Sequence, residues 1–241
     1  RQRQMCIRDR IHMNKNVISE KQLSAEAACD YVKDGMIVGL GTGTTAEFAV
    51  RKIGKLVREG LSIRGIPTSN RTKKLAEAEG ITLIDFSESM FIDLTIDGAD
   101  EIDGNLNMIK GGGAALLQEK IVASVSRKEI IVGSKTKMVD HLGSFPLPVE
   151  VVPFGWQVVF NQLESLNANP DLRLNNGQPL LTDQGNYIVD CHFRKISNPK
   201  LLENQINMIP GVVENGLFIN LCTKMILADG EKMIIKDRKI R

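Results

Sequence analysis

Apolar residues fall into short runs and amphipathic stretches that alternate along the first two thirds of the chain. Residues 36–40 form a short apolar run typical of a buried strand, whereas residues 46–60 repeat apolar positions at helical spacing. Further strands are predicted at residues 61–66, 81–86, 91–97 and 129–134, and further helices at residues 19–35, 71–79 and 114–126. Strands alternating with helices indicate βαβ units in a mostly parallel sheet, with functional sites at the carboxyl ends of its strands.

The pattern changes at residues 145–156, where the three prolines of FPLPVEVVPFGW mark a boundary. Beyond it, a βαββαβ order predicts a small α+β, ferredoxin-like domain. Residues 224–236 predict a hairpin with Asp-Gly at its turn, which we expect to return to the first domain. The sequence therefore predicts an α/β fold with one domain over residues 13–145 and 219–241 and a smaller one over residues 146–218.

Charge is unevenly distributed. The net charge is +2, but residues 1–12 carry four arginines and one aspartate, a balance of +3, so the remainder carries 2 − 3 = −1. The absence of another basic run, together with only 5% aromatic residues, argues against nucleic-acid binding. No apolar run reaches the roughly 18 residues that span a bilayer, so we expect no membrane partner. We also expect residues 1–12 to be a non-native extension, with Met13 the true start.

The cysteines bear on the compartment. Four cysteines are widely spaced and form no C-x-x-C pair. Such spacing is typical of reduced thiols rather than of a disulfide framework, so we expect a cytoplasmic protein.

A glycine-rich and threonine-rich loop, GLGTGTT at residues 39–45, lies between a predicted strand and a predicted helix. Its glycines allow positive φ, and the free N–H groups at the helix start favour an anion. The dinucleotide fingerprint G-x-G-x-x-G fails because Thr44 occupies the last glycine position, and no G-K-[ST] follows as in a P-loop. Two interpretations stay open: a phosphate-binding loop, or a tight turn with a threonine N-cap.

The densest polar stretch is TIDGADEIDGNLNMIKGGGAALLQEK, residues 95–120. It does not fit a calcium loop, because the required ligand spacing fails from Asp97, Asp100 and Asp103 alike. A transition-metal site is not expected either, since the chain's three histidines lie outside the stretch, at His12, His141 and His192.

The same stretch fits acid/base chemistry. Asp97 and Asp100 follow an apolar strand, where crowded carboxyls should have pKa values that are pushed apart. Lys110 supplies a cation for a developing oxyanion, and Glu119 lies on the helix that follows. Exposed backbone N–H groups are expected from three glycines, Gly111, Gly112 and Gly113. The competing interpretation is a solvated acidic turn, with Glu119 an ordinary surface residue.

Two lysines follow the strand that ends at Gly133. Lys135 and Lys137 lie on a short polar loop, and either could reach a phosphate at the same edge of the sheet. A solvated loop with two lysines is the alternative.

Several segments together resemble a known family. GLGTGTTAEFAV, DGADEIDGNLNMIKGGGAALLQEKI, SKTKMVDHLG, FPLPVEV and IPGVVENGLF occur in this order. They are similar to ribose-5-phosphate isomerase of the A type, over residues 19–236. The resemblance implies a Rossmann-like domain with a smaller α+β domain, and a homodimer or homotetramer. The family's more polar, Asp-containing pattern is replaced here by NLCTKMI near the chain's end.

The resemblance also implies the reaction: interconversion of ribose 5-phosphate and ribulose 5-phosphate through an enediolate, without cofactor or metal. Glu119 matches the catalytic base, Asp97 the carboxylate of ring opening, Asp100 its substrate-binding neighbour and Lys110 the lysine that stabilises the enediolate. The implied substrate-binding residues are Lys21, Thr42, Gly43, Thr44, Thr45, Gly98, Ala99, Gly111, Gly112, Gly113 and Lys137.

Two other functions remain compatible with the motifs. One is a regulatory domain that senses a sugar phosphate, and the other is an aminosugar-phosphate deaminase-isomerase. The presence of both Lys110 and Glu119 favours an enzyme over a sensor.

Overall fold

The computed structural model describes residues 19–239. The first half contains α1 (residues 19–29), β1 (Ile37–Leu40), α2 (Thr44–Arg58), β2 (Arg64–Pro67), α3 (Asn70–Ala78), β3 (Thr82–Leu83), β4 (Leu94–Gly98), β5 (Glu101–Ile102), β6 (Met108–Ile109) and α4 (Leu116–Ser124). The second half contains β7 (Glu129–Ser134), β8 (Leu147–Val151), α5 (Trp156–Ser165), β9 (Pro170–Leu172), β10 (Leu174–Asn175), β11 (Gln178–Pro179), β12 (Tyr187–Cys191), α6 (Pro199–Asn207), β13 (Val212–Asn215), β14 (Leu217–Phe218), β15 (Lys224–Asp229) and β16 (Lys232–Asp237).

The main sheet has seven strands in the order β16-β15-β7-β4-β1-β2-β3. All neighbours are parallel except the β15–β16 hairpin, which closes one edge. Apolar side chains alternate between its two faces: one face packs on α1, α2 and α3, and the other on α4 and the short strands. The predicted mostly parallel α/β sheet is therefore confirmed, and the hairpin near the end of the chain lies beside β7 in it.

A separate four-stranded sheet has the order β13-β8-β12-β9, with every pair antiparallel. The sequence β8-α5-β9-β12-α6-β13 gives the predicted ferredoxin-like arrangement. Two details differ from expectation. The proline-rich boundary segment itself forms β8, and a β10–β11 hairpin is inserted between β9 and β12. All four strands fall within residues 146–218, and the exact domain limits stay a prediction.

A third, three-stranded sheet with order β14-β6-β5 joins the acidic stretch to residues 217–218. Among residues 19–239, no helix is long and apolar enough to cross a membrane. The expectation that residues 1–12 are non-native lies outside the described residues.

Candidate active site

Three loops meet at the carboxyl edge of the main sheet, after the adjacent strands β1, β4 and β7. Successive connections run in opposite directions from β1, so this edge is the switch point where α/β sheets bind ligands. A cavity opens there and gathers nearly all the residues predicted from sequence. It is lined by Lys21, Thr42, Gly43, Thr44, Thr45, Gly98, Ala99, Asp100, Lys110, Gly111, Gly112, Gly113, Glu119 and Lys137.

A larger cavity lies elsewhere. It measures about 500 Å³, against about 120 Å³ for the cavity at the switch point, and apolar residues such as Ile66, Leu83 and Ile121 line much of it. Its charged residues, such as Lys73 and Asp85, are not drawn into a buried cluster like the one at the switch point. We therefore take the smaller cavity as the candidate active site, because reactive chemistry depends on the convergent polar groups and not on volume.

Lys110 is the centre of a buried charge cluster. Only 2% of its side chain is exposed, and its Nζ lies 3.0 Å from Asp97 Oδ2 and 3.4 Å from Glu119 Oε1. The ammonium also donates to the carbonyl of Gly98 and lies 5.5 Å from the ring centroid of Phe218. A cation held this way is oriented before substrate arrives.

Asp97 is held behind Lys110 rather than in the cavity wall. It is 1% exposed, and its Oδ1 accepts from the backbone N–H of Thr42 at 3.0 Å and of Gly98 at 2.7 Å. Gly41 permits this packing, because a Cβ there would lie 2.4 Å from Asp97 Oδ1. The structure therefore ties the threonine loop to the acidic stretch through Asp97.

Glu119 lies in the first turn of α4, on the buried side of the helix. It is 5% exposed, whereas Ile121 on the opposite side is 45% exposed. The alternative of an ordinary surface residue is thus wrong. Glu119 lines the cavity, and its Oε2 is buried without a hydrogen-bond partner among the described residues, so this oxygen keeps its full capacity to accept a hydrogen.

Burial governs protonation in this cluster. Desolvation raises the pKa of Glu119 to about 8, with Lys110 opposing the shift and Asp97 adding to it. Burial likewise raises the pKa of Asp97 against the pull of Lys110. For Lys110, burial alone would lower the pKa, but the carboxylates of Asp97 and Glu119 outweigh it and raise the pKa. Glu119 is therefore a base whose pKa lies near neutral pH, where general-base catalysis is most effective.

Glu129, at the start of β7, is a fourth member that the sequence did not single out. It is 1% exposed, and neither carboxyl oxygen has a hydrogen-bond partner among the described residues. It pairs in register with Thr95, so it shares a sheet face with Asp97. Burial, followed by the charge of Asp97, raises its pKa well above the usual range. Burial without a partner favours the protonated form of this carboxyl in the folded state.

We predict that Glu129→Gln flattens the pH dependence of stability. The folded pKa of Glu129 is raised, so above about pH 4.5 the unfolded chain releases a proton that the folded protein keeps. Each pH unit in that window then lowers the free energy of unfolding by up to about 1.4 kcal/mol per such group. Glutamine does not ionise, so the contribution of this residue to the pH dependence is absent from the variant. Urea unfolding at pH 5, 6.5 and 8 should show a shallower decline for the variant.

The exposed Glu164 on α5 supplies the control. Glu164→Gln should decline in parallel with the wild type, because the substitution leaves the buried Glu129 in place. Equal slopes for Glu129→Gln and the wild type would show that Glu129 is ionised in the fold.

Asp100 and the glycine turn form the next part of the wall. Asp100 Oδ2 accepts from the backbone N–H of Gly112 at 2.8 Å, and a Cβ at Gly112 would lie 2.7 Å from Asp100 Oδ1. Gly111 has φ +102°, a conformation that favours glycine. The turn precedes α4 rather than opening it directly, since Ala115 is the N-cap residue.

The threonine loop differs from its capping interpretation. Gly43, with φ 104°, is the N-cap residue of α2, and no side chain caps the helix. The Thr42 hydroxyl lies 2.7 Å from that of Thr68 and bonds to Ser69, two residues that do not line the cavity. Lys21 Nζ donates to Thr44 Oγ1 at 2.9 Å, which brings a lysine from α1 to the cavity.

The two lysines after β7 separate. Lys135 bonds to Asp229 at 2.7 Å and does not line the cavity, whereas Lys137 does. A 3-10 turn over Lys135–Lys137 produces the difference.

Two other acids of the stretch have structural partners. Glu101 accepts from the backbone N–H groups of Gly143 at 2.7 Å and Phe145 at 2.6 Å. Asp103 accepts from those of Asn105 and Asn107, both at 2.8 Å, and so closes a turn. Within the described part of the chain, no group of three or more His, Cys, Asp or Glu side chains is arranged to hold a metal ion.

The fold, with buried carboxyls and a buried lysine at its switch point, is typical of an α/β enzyme that acts on a small polar substrate. Comparison with known proteins agrees. The family model for ribose 5-phosphate isomerase A (phosphoriboisomerase A) matches residues 64–232. A curated ribose-5-phosphate isomerase A from Gloeobacter violaceus is 54% identical over 211 residues, covering 87% of this chain and 92% of the relative.

Two solved structures are also similar. Ribose 5-phosphate isomerase A from Methanocaldococcus jannaschii has a TM-score of 0.87 at 38% identity, covering 91% of this chain and 98% of that one. A D-ribose-5-phosphate isomerase in complex with phospho-erythronic acid has a TM-score of 0.89 at 37% identity, covering 92% and 99%. The chain therefore belongs to the ribose 5-phosphate isomerase A family, a family of isomerases.

Proposed function

We propose that this chain interconverts D-ribose 5-phosphate and D-ribulose 5-phosphate by proton transfer through an enediolate. The observation that carries the proposal is the pair formed by Glu119 and Lys110, both buried in one cavity, with Glu119 Oε2 free to accept a proton. A base and a cation at adjacent positions lower the barrier to removing a weakly acidic C–H proton.

In the proposed reaction, Glu119 removes the proton from C2 of the open-chain aldose. The electron pair forms the C1–C2 double bond, and the negative charge moves to O1, which Lys110 stabilises. Glu119 then returns a proton to C1, and a second proton moves from O2 to O1 to give the ketose. Glu119 and Lys110 therefore end the reaction with the same protons with which they began it.

Ring opening comes first, and the two aspartates Asp97 and Asp100 take different parts in handling the closed sugar. The resemblance implies Asp97, whose side chain contacts the cavity through Lys110 and Thr42. Asp100 is the carboxyl that lines the cavity. We infer that Asp100 contacts the sugar hydroxyls directly and that Asp97 acts in ring opening by way of Lys110.

The phosphate is assigned to the threonine loop together with Lys137 and Lys21. The N-terminus of α2 supplies backbone N–H groups, and the two lysines supply positive charge. A solved relative is in complex with phospho-erythronic acid, so a protein similar to this chain binds a phosphorylated sugar acid. That ligand combines a phosphate with a carboxylate, whose two charged oxygens resemble those of an enediolate. Phosphate binding can thus orient the sugar for chemistry at C1 and C2.

We predict that Lys137→Ala raises KM for ribose 5-phosphate by roughly 10- to 100-fold, the loss expected for one hydrogen bond to a charged group. The rate on unphosphorylated ribose should not change, because that sugar never uses the lysine. Steady-state kinetics on both sugars measure the difference.

The matched control is Lys135→Ala, which removes a lysine two residues away that pairs with Asp229 outside the cavity. Its KM should equal that of the wild type. Equal losses on ribose and ribose 5-phosphate in Lys137→Ala would refute a phosphate role.

We further place the reaction in the non-oxidative pentose phosphate pathway and in the cytoplasm. The described cysteines, Cys29, Cys191 and Cys222, are free and buried, as in a reducing compartment.

We also propose a homodimer or homotetramer. Apolar side chains are exposed on and beside α5 and α6, a feature of interaction surfaces, at Phe154, Val158, Leu201 and Met208. A monomeric mass by light scattering would contradict this.

The function is tested by adding ribose 5-phosphate and a chelator to the purified protein and following ketose formation. We expect rapid conversion that the chelator does not affect. An aminosugar phosphate, assayed in parallel for ammonia release, should not react. Ammonia release without ketose formation from ribose 5-phosphate would favour the deaminase-isomerase, and binding without turnover would favour the sensor.

A further inference from the structure

Arg173 connects the small sheet to the glycine turn of the candidate active site. It lies between β9 and β10, and its Nη1 donates to the carbonyls of Gly111 at 2.9 Å and Gly112 at 3.2 Å. Its other nitrogens form a two-point contact with Asp190 on β12, with Nε 2.7 Å from Oδ2. Both charged side chains are largely buried, at 15% and 18% exposure.

These bonds fix the orientation of two peptide groups. In a trans peptide the C=O and the following N–H point in opposite directions. Holding the carbonyl of Gly111 therefore turns the N–H of Gly112 away from Arg173, where it donates to Asp100. Holding the carbonyl of Gly112 likewise turns the N–H of Gly113 away from Arg173. Gly113 and Asp100 both line the cavity.

The turn requires such support. Three consecutive glycines have a large conformational freedom to lose. Ala114, with φ 59°, adopts a conformation that is unfavourable for a residue with a Cβ. Within the turn, a single backbone hydrogen bond, from the N–H of Ala114 to the carbonyl of Gly111 at 3.0 Å, offsets these conformational costs. The planar guanidinium supplies further donors in a fixed geometry, which a lysine would not.

Asp190 has two effects on Arg173. It holds the guanidinium plane by a two-point contact, and it neutralises a charge close to the site. Arg173 does not line the cavity, so its influence on substrate runs through the turn.

We propose that Arg173, held by Asp190, is a positioning residue for the isomerisation: it keeps the glycine turn in the form that binds Asp100 and presents the Gly113 N–H to the substrate. This inference rests on the proposed function. It assigns a role to the connection between β9 and β10, and it makes the small sheet part of the active-site architecture.

The test compares Arg173→Met, Arg173→Lys and Arg58→Met. Arg58 is the matched control, because it also donates to a carboxylate and a backbone carbonyl. Both acceptors belong to Glu79, and the contact joins the C-terminal ends of α2 and α3. We expect Arg173→Met to lower kcat for ribose 5-phosphate about 10²-fold, the loss typical of a small displacement of reacting groups, with KM changed less than about threefold. Arg173→Lys should lower kcat at least about tenfold, and Arg58→Met should equal the wild type.

Two further measurements separate positioning from a merely structural role. Amide hydrogen exchange at residues 111–113 should accelerate in Arg173→Met while exchange in the main sheet stays unchanged. Guanidinium ion, at concentrations too low to unfold the protein, should restore part of the kcat of Arg173→Ala.

The possible failures are distinguishable. A wild type that does not convert ribose 5-phosphate refutes the proposed function, whatever the exchange data show. A wild type that turns over, with kcat and exchange at the glycine turn unchanged in Arg173→Met, overturns the role of Arg173. Loss of kcat in Arg58→Met equal to that in Arg173→Met would also overturn it.

Discussion

Glu119→Gln is expected to lower kcat by roughly 10²- to 10⁴-fold, the share that a positioned general base contributes. Glutamine keeps the size of the side chain and one oxygen near Lys110, but it cannot accept the proton from C2. Phospho-erythronic acid should still bind, since no proton moves in that complex. Steady-state kinetics and calorimetric titration on the same preparation measure both quantities.

The pH profile sharpens this expectation. Because the pKa of Glu119 is raised to about 8 in the free protein, kcat/KM of the wild type should increase with pH until the pH exceeds that value. The residual activity of the variant should lack that increase. Glu150→Gln, which alters a buried carboxyl in β8 of the small sheet, is the control and should keep wild-type turnover. Near-normal turnover in Glu119→Gln would refute its role as the base.

Lys110→Met is expected to damage both activity and stability. Methionine fills much of the same space but removes the only cation that contacts both Asp97 and Glu119 among the described residues. Loss of one oxyanion donor should lower kcat by roughly 10²- to 10³-fold. Breaking a buried ion pair from one side should cost about 3–5 kcal/mol of unfolding free energy.

The stability loss should depend on pH in a defined direction. Without the ammonium, the carboxyls of Asp97, Glu119 and Glu129 keep their protons to higher pH in the fold. The penalty relative to wild type should therefore be smaller at pH 5 than at pH 8. Adding Asp97→Asn should recover part of the stability but none of the kcat. A Lys110→Met protein as stable as wild type at pH 8 would contradict the buried cluster.

Much of the candidate site could be predicted because parallel strands place their carboxyl ends at one edge. The loops after β1, β4 and β7 were each recognised by their polar residues, and the structure brings them together. The side of α4 on which Glu119 lies was harder to predict. The helix LLQEKIVAS has apolar residues on several sides, so its periodicity does not reveal the buried one.

Residues that depend on tertiary contacts could not be predicted. In the sequence, Glu129 is simply a charged residue at the start of a predicted strand. Its burial follows from packing on both faces of the sheet. Arg173 contacts a glycine turn about 60 residues earlier in the chain, a separation that no local pattern encodes. The choice between Lys135 and Lys137 depended on a 3-10 turn that apolar spacing does not indicate.

Proton exchange with solvent tests the central claim most directly. Wild-type protein is incubated with ribose 5-phosphate and a chelator in D₂O until equilibrium, and NMR records both ketose formation and deuterium at C1 and C2. Proton transfer by Glu119 through an enediolate predicts ribulose 5-phosphate with deuterium at C1 and recovered ribose 5-phosphate with deuterium at C2, both strongly slowed in Glu119→Gln. Ketose formed over many turnovers without any solvent deuterium, or at an equal rate in Glu119→Gln, would contradict it.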